Sequence, residues 1–236
     1  MTLSCPITIF VIFFGVAVGS ASLSSAQTDG PKPPVKIKLA KVELLVDDKP
    51  AQAAGKLYRS TPAGIRRKLV AEIDSQGNLT LPVECESSDQ FFAELVLMLV
   101  FPLDRLKPCN ELLRFKYRRV EVRSAEVPGV EGLQLASAQD PAQALMNYEK
   151  LLGYARAANK PELEWVASEG AIKAAARLLG DSTGDLYLAR DPTRRSQLVF
   201  SPTGVAQIKK IQTLSNIPAT GTLDSRTQQI LRDLKM

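Results

Sequence analysis

The chain contains no histidine, and that absence removes much familiar hydrolytic chemistry. Ser-His-Asp and Cys-His nucleophile systems need an imidazole to take the proton of the attacking group. The zinc centres of many wall amidases and peptidases need imidazole ligands. Other routes are missing too: there is no Ser-x-x-Lys to support acylation of a penicillin-binding type, and no glycine-rich phosphate loop. Carboxylates alone can still run glycoside hydrolysis, and Glu162, Glu164 and Glu169 lie near Trp165, the one tryptophan. At their helical spacing these acids read as a solvated face. Asp181 and Asp185 flank Gly184 without the spacing of an EF-hand loop and read as a turn. The sequence therefore predicts a protein that is not an enzyme, with no cofactor and no metal site.

Cysteine is scarce, at three. Cys5 precedes an apolar run instead of following it, so it is not placed like a lipoprotein cysteine. That run is almost unbroken from Ile7 to Val18, and Ser24-Ser25-Ala26 puts small residues at the −3 and −1 positions of a cleavage site before Gln27. The run is short of the roughly 20 residues of a membrane span. Residues 1–26 are thus expected to be a secretory signal, although no Lys or Arg precedes the run and an uncleaved anchor is the alternative. Export leaves Cys85 and Cys109, which in an oxidising compartment are expected to form one disulfide. Closing a loop of about 25 residues stabilises a fold by on the order of 3 kcal/mol in the chain-entropy model. A catalytic thiol would lack its base.

Removing the signal leaves about 210 residues, one large or two small domains. At 45% hydrophobic and 23% charged the composition is globular. The net charge of +5 favours an anionic envelope surface without pointing to nucleic acid. In Arg114-Phe115-Lys116-Tyr117-Arg118-Arg119 the strict alternation describes one wet strand face.

Residues 27–34 carry Pro31, Pro33 and Pro34 and read as a linker. Strands then follow: Val35, Ile37 and Leu39 alternate with lysines, residues 42–46 run extended, and Asp47-Asp48-Lys49-Pro50 turns the chain. Residues 55–60 and 65–73 are further strands, and Asp74-Ser75-Gln76-Gly77-Asn78 is a hairpin turn leading into 79–81. Residues 90–101 form one long apolar strand, or two with a bend, and 110–122 form the last. Six or seven strands at short spacing predict a two-sheet sandwich over residues 35–127. On Val46–Gly55 and Ile73–Leu81 it resembles the transthyretin-like, carboxypeptidase-regulatory group of extracellular domains; a generic immunoglobulin-like sandwich is the alternative. Either implies a module for adhesion, spacing or ligand binding.

Residues 128–139 are read as a linker, and beyond them the period turns helical. Asp140-Pro141 supplies an N-cap and a first-position proline, and Leu145, Tyr148, Leu151, Leu152 and Ala155 give the buried face. Lys160-Pro161 starts a second helix with Leu163, Val166, Ile172, Ala175 and Leu179, ended by Gly180. Residues 185–190 and 197–200 allow a short β-ribbon. The fold class expected is α+β: an N-terminal antiparallel β-sandwich followed by an all-α helical domain over residues 140–236.

The last stretch, residues 201–236, reads as helix, loop, helix. Val205, Ile208, Ile211 and Leu214 form an apolar stripe, and Asn216 with Pro218 ends it. Gly221 allows a turn with positive φ, and Asp224 caps a second helix at Thr227, with Ser225 and Gln228 as the alternative capping box. Ile230, Leu231 and Leu234 fold it back. The pattern Ile208, Ile211, Gln212, Gly221, Leu223, Asp224, Thr227 and Leu231 resembles the second half of the peptidoglycan-binding-domain-like family of helical modules. Ile211 stands where that family usually has an aromatic residue. The resemblance implies peptidoglycan as ligand, with Gly221, Leu223, Asp224, Arg226 and Thr227 at the binding edge. The expected function is that of an exported, non-catalytic cell-envelope protein, periplasmic or secreted, that binds the wall through this module. An envelope protein partner on the sandwich is allowed for; nucleic acid, and a membrane once the signal is cleaved, are not expected partners. The alternative is a structural or protein-interaction subunit in which the hairpin is only core.

Overall fold

The computed structural model describes residues 36–60, 67–96, 99–104, 106–123, 125–130, 140–191 and 197–234, and among these twelve strands and four helices follow one another. The expected signal and leading linker, and most of the expected linker at 128–139, lie outside the described residues. The strands are β1 (Lys36–Leu39), β2 (Lys41–Val46), β3 (Lys49–Pro50), β4 (Gly55–Ser60), β5 (Arg67–Ile73), β6 (Val83–Glu86), β7 (Gln90–Leu95), β8 (Val100–Pro102), β9 (Lys107–Pro108), β10 (Leu112–Arg119), β11 (Leu188–Asp191) and β12 (Gln197–Phe200). The helices are α1 (Pro141–Ala157), α2 (Pro161–Leu178), α3 (Pro202–Leu214) and α4 (Ser225–Asp233). The class is α+β: β1 to β10 come first, and the helices follow with β11 and β12 between α2 and α3.

Two four-stranded sheets, ordered β3-β2-β10-β8 and β5-β4-β7-β9, carry most of the strand half, with β1 and β6 paired beside them. Alternating residues of β2 and β10, among them Val42, Leu44, Leu113 and Phe115, share one buried cluster with Leu57, Ile73, Phe91 and Ala93 of the other sheet. The wholly antiparallel pairing that the sequence suggested does not hold: β2 and β10 run parallel, Val42 beside Leu113 and Val46 beside Tyr117. Parallel neighbours require a long intervening connection, and here it runs from β3 to β9. The apolar stretch 90–101 divides: β7 pairs with β4 in one sheet and β8 with β10 in the other. Leu79 makes a single bridge to Ile73 instead of a strand, and β6, around Cys85, takes the place of the expected strand. Cys85 and Cys109 are disulfide-bonded.

Local chemistry places the turns. Asp47 and Asp48 take φ of 51° and 60° to reverse β2 into β3, left-handed values that aspartate tolerates better than most residues. Asp74 Oδ1 accepts from the amides of Gln76 and Asn78, each at 2.8 Å. Gly77 then passes so close to β2 that a Cβ would sit 2.4 Å from the Val42 carbonyl oxygen.

Asp140 caps α1, its Oδ1 accepting from Ala142 N–H at 2.8 Å. Helices α1 and α2 are antiparallel neighbours, and α2 comes close because its contact face is Gly170, Ala171, Ala174 and Ala175. The second half is not all helix: β11 and β12 form an antiparallel ribbon whose Leu188 and Leu198 pack on Ala176 of α2. Leu231 of α4 is buried with Leu145 and Ala171. Leu214 and Leu234, expected on the apolar faces, are 74% and 65% exposed: Leu214 is the last residue of α3, and Leu234 is the C-cap of α4. Residues Pro34–Met236 form one compact unit, and no described helix is long and apolar enough to cross a membrane.

Candidate functional site

The C-terminal loop is assembled around one fully buried side chain, Gln212 of α3. Its Nε2 donates to Thr227 Oγ1 at 2.9 Å and also reaches Thr220 Oγ1 at 3.0 Å and the Thr222 carbonyl at 3.1 Å. Its Oε1 accepts from Gly221 N–H at 2.8 Å. Thr227 in turn donates its hydroxyl to Asp224 Oδ1 at 2.8 Å, and the same oxygen accepts from Thr227 N–H at 2.8 Å. Those two bonds hold the Asp224 carboxyl below its ordinary value. Ser201 caps α3 in the same manner, accepting from Gly204 N–H at 3.2 Å.

The five residues expected at the binding edge therefore divide. Gly221, Leu223, Asp224 and Thr227 come together around Gln212, but Gly221 and Thr227 are buried and used internally. Gly221 has φ of 75°, and a Cβ there would lie 2.7 Å from Val205 Cγ1. Leu223 is half-buried against the cluster of Leu145, Ala171 and Leu231. Asp224 and Arg226 are exposed, together with Thr220, Thr222 and Ser225. The available edge is thus three hydroxyls, a carboxylate and a guanidinium on the loop and the first turn of α4.

A second polar centre escaped the sequence reading. Glu94 of β7 forms ion pairs with Arg67 of β5, Arg190 of β11 and, at 3.0 Å, Lys173 of α2. Arg190 is 1% exposed and also donates to Glu169 Oε1 of α2 at 2.5 Å; the same oxygen accepts from Leu198 N–H at 2.7 Å. Arg67 donates from Nε to the Gly184 carbonyl at 2.9 Å, and its guanidinium lies 4.2 Å from the Tyr58 ring centre. The Arg190 guanidinium lies 3.8 Å from that of Phe92. Burial would push the Glu94 carboxyl up, but Arg67, Lys173 and Arg190 together hold it well below the usual range. For Glu169 burial prevails over Arg190 and Lys173, and its carboxyl is raised.

This centre corrects the reading of the acidic helix. Glu162 and Glu164 do face outward, paired with Arg118 and Arg156. Glu169 does not: it is 6% exposed and bound within the ion network. The signal was a charge inside an apolar context: Glu94 within Phe91-Phe92-Ala93-Glu94-Leu95, Arg190 after Leu188-Ala189, and Glu169 three residues past Val166. Such charges are buried only when paired.

Beside the centre lies a cleft of about 230 Å³ whose lining includes Lys56, Tyr58, Arg67, Glu94, Lys173 and Arg177. A smaller cavity of about 80 Å³ shares Glu94, Tyr148 and Lys173 with it and reaches Trp165. The Trp165 ring stands edge-on to Phe101 at 5.4 Å. The Asp181–Asp185 segment is a turn, as its sequence suggested: Asp181 accepts from the amides of Gly184 and Tyr187, both at 2.7 Å, and of Leu186 at 3.1 Å.

Comparison of the chain with protein-family models, curated proteins and solved structures found no match.

Proposed function

We propose that this chain is an exported, non-catalytic protein of the cell envelope that binds peptidoglycan through the loop joining α3 and α4. The observation that carries the reading is the Gln212 arrangement. One buried amide ties Gly221, Thr222 and Thr227 together, so the exposed Thr220, Thr222, Asp224, Ser225 and Arg226 are presented on a backbone with little freedom. Preorganisation of that kind reduces the ordering entropy of binding. Hydroxyls and an amide-rich backbone suit the hydroxyl and amide groups of glycan and stem peptide, and Arg226 suits their carboxylates. In this reading Gly221 and Thr227 shape the loop, and the contacts fall to Thr222, Asp224, Ser225 and Arg226. The disulfide supports an oxidising compartment, periplasmic or outside the cell. The strand half is a two-sheet sandwich that faces a protein partner or acts as a spacer.

A second reading is favoured by the burial of Gly221 and Thr227 and by the packing of α4 on α1 and α2. There the hairpin is core, and the protein is a structural or protein-interaction subunit of an exported assembly. Co-sedimentation with purified insoluble peptidoglycan separates the two. The wall-binding reading requires retention of the wild type, weaker retention of Arg226→Ala, and a loss that shrinks as salt screens the charge. Equal retention of both proteins, or of neither, leaves the subunit reading.

A further inference from the structure

The cleft beside the buried ion centre has a charge balance that its own side chains do not close. Its lining carries four cations, Lys56, Arg67, Lys173 and Arg177, against two carboxylates, Glu94 and Asp181. Both carboxylates are already engaged, Glu94 by three cations and Asp181 by three backbone amides. Lys56 and Arg177 form no ion pair among the described residues.

Tyr58 adds an independent sign. It lines the same cleft and is 4% exposed, yet its hydroxyl has no hydrogen-bond partner among the described residues. The oxygen is not among the side-chain atoms that are both buried and unpartnered, so it opens to the cleft, where a ligand can accept from it. The rest of the wall includes Leu95, Leu99 and Ala174, so a ligand would meet apolar surface next to the charged groups. At about 230 Å³ the cleft falls below the roughly 300–1,000 Å³ of drug-sized pockets. It has room for a small molecule.

We propose that this cleft binds a small organic anion, a carboxylate or phosphate group on a short apolar body. The Tyr58 hydroxyl donates to the anionic head, and Lys56 and Arg177 supply its counter-charge. Glu94 holds Arg67 and Lys173 in place and is not itself a contact. The site shares no residue with the loop joining α3 and α4, so it stands or falls separately from wall binding.

Calorimetric titration of the purified protein with benzoate, phenyl phosphate and the neutral benzamide, in phosphate-free buffer at low salt, tests the proposal. The expected result is one-to-one binding of at least one anion, with benzamide at least about tenfold weaker, since a hydrogen bond to a charged group is worth that much. Which anion binds better identifies the head group. Tyr58→Phe, which removes only the unpaired hydroxyl, should weaken binding about tenfold while melting no lower than wild type. Arg177→Gln, at an exposed position, should weaken it a few-fold, an effect that fades at high salt. No anion binding at millimolar concentration overturns the proposal, as does benzamide binding as tightly as the anions. Equal affinity in wild type and both variants, each shown to be folded by its melting transition, overturns it too.

Discussion

Replacing Glu94 by glutamine keeps the shape of the side chain and removes the charge that three cations share. The Glu94 side chain is 13% exposed, and those of Arg67 and Arg190 are 3% and 1% exposed, so solvent cannot substitute for the lost carboxylate. Arg190 would keep Glu169 at 2.5 Å, and Arg67 would keep the Gly184 carbonyl at 2.9 Å. Neither remaining contact restores the missing charge, and Lys173 loses its counter-ion. Removing one member of a buried pair is unfavourable by about 3–5 kcal/mol, a large share of the roughly 5–15 kcal/mol that holds a domain folded. At about 2–4 °C per kcal/mol for a chain of this size, the melting temperature should fall by about 6–20 °C. Glu162→Gln is the control: its partner Arg118 has a side chain 55% exposed, and such a pair contributes about 1 kcal/mol or less. Urea unfolding as a function of pH adds the sign. Because the folded Glu94 carboxyl is held low, its stabilisation is complete above the unfolded value of about 4.3 and is lost as pH falls towards the folded value. Glu169, raised by burial, opposes this, since a carboxyl that binds its proton more tightly when folded gains on acidification. Wild type should therefore lose stability below about pH 4.3 more steeply than Glu94→Gln. A variant within about 1 kcal/mol of wild type and with the same acid profile would refute the picture of Glu94 as the shared counter-ion.

Three further outcomes follow from the packing. Replacing Cys85 and Cys109 by alanine opens a crosslink with a sequence separation of 24 and should lower unfolding free energy by about 3 kcal/mol; alkylation of the native wild type should find neither thiol free. Gly221→Ala combines a positive φ with a Cβ 2.7 Å from Val205 Cγ1, and Gln212→Leu strands the groups it bonds. Each should cost about 2 kcal/mol or more in denaturant titration, so Gly221 cannot serve as a probe of binding alone. Gly170→Ala would put a Cβ 2.0 Å from Tyr148 Cε1, forcing the ring aside at about 1–3 kcal/mol and shifting the tyrosine near-ultraviolet circular dichroism.

What could be read from the sequence was what neighbours in the chain decide. Asp140-Pro141, Asp224 with Thr227, and Asp74 with Gly77 act over four residues or fewer, so their chemistry is visible in a window of that length. Gln212 stood in the recognised pattern, but its purpose as the hub of the loop depends on Thr220, Gly221, Thr222 and Thr227 arriving together. The parallel pairing of β2 with β10 joins residues about seventy positions apart, and no local period encodes that. The ion centre was hidden for the same reason: Arg67, Glu94, Glu169, Lys173 and Arg190 come from four elements, and each alone looks like a surface charge. A charge flanked by apolar residues on a strand, as at Glu94, was the one usable sign. Leu214 and Leu234 continued the apolar spacing onto the last residue of α3 and the C-cap of α4, where a periodic pattern no longer reports burial.

Wall binding through the loop joining α3 and α4 is tested most directly by amide chemical shifts of the protein titrated with soluble peptidoglycan fragments. The account predicts that shifts concentrate on Thr220 to Arg226 and on Gln212, whose side chain bonds that backbone, while Tyr58 and Lys173 stay unmoved. Shifts confined to the strand half, or none up to millimolar fragment, would contradict it.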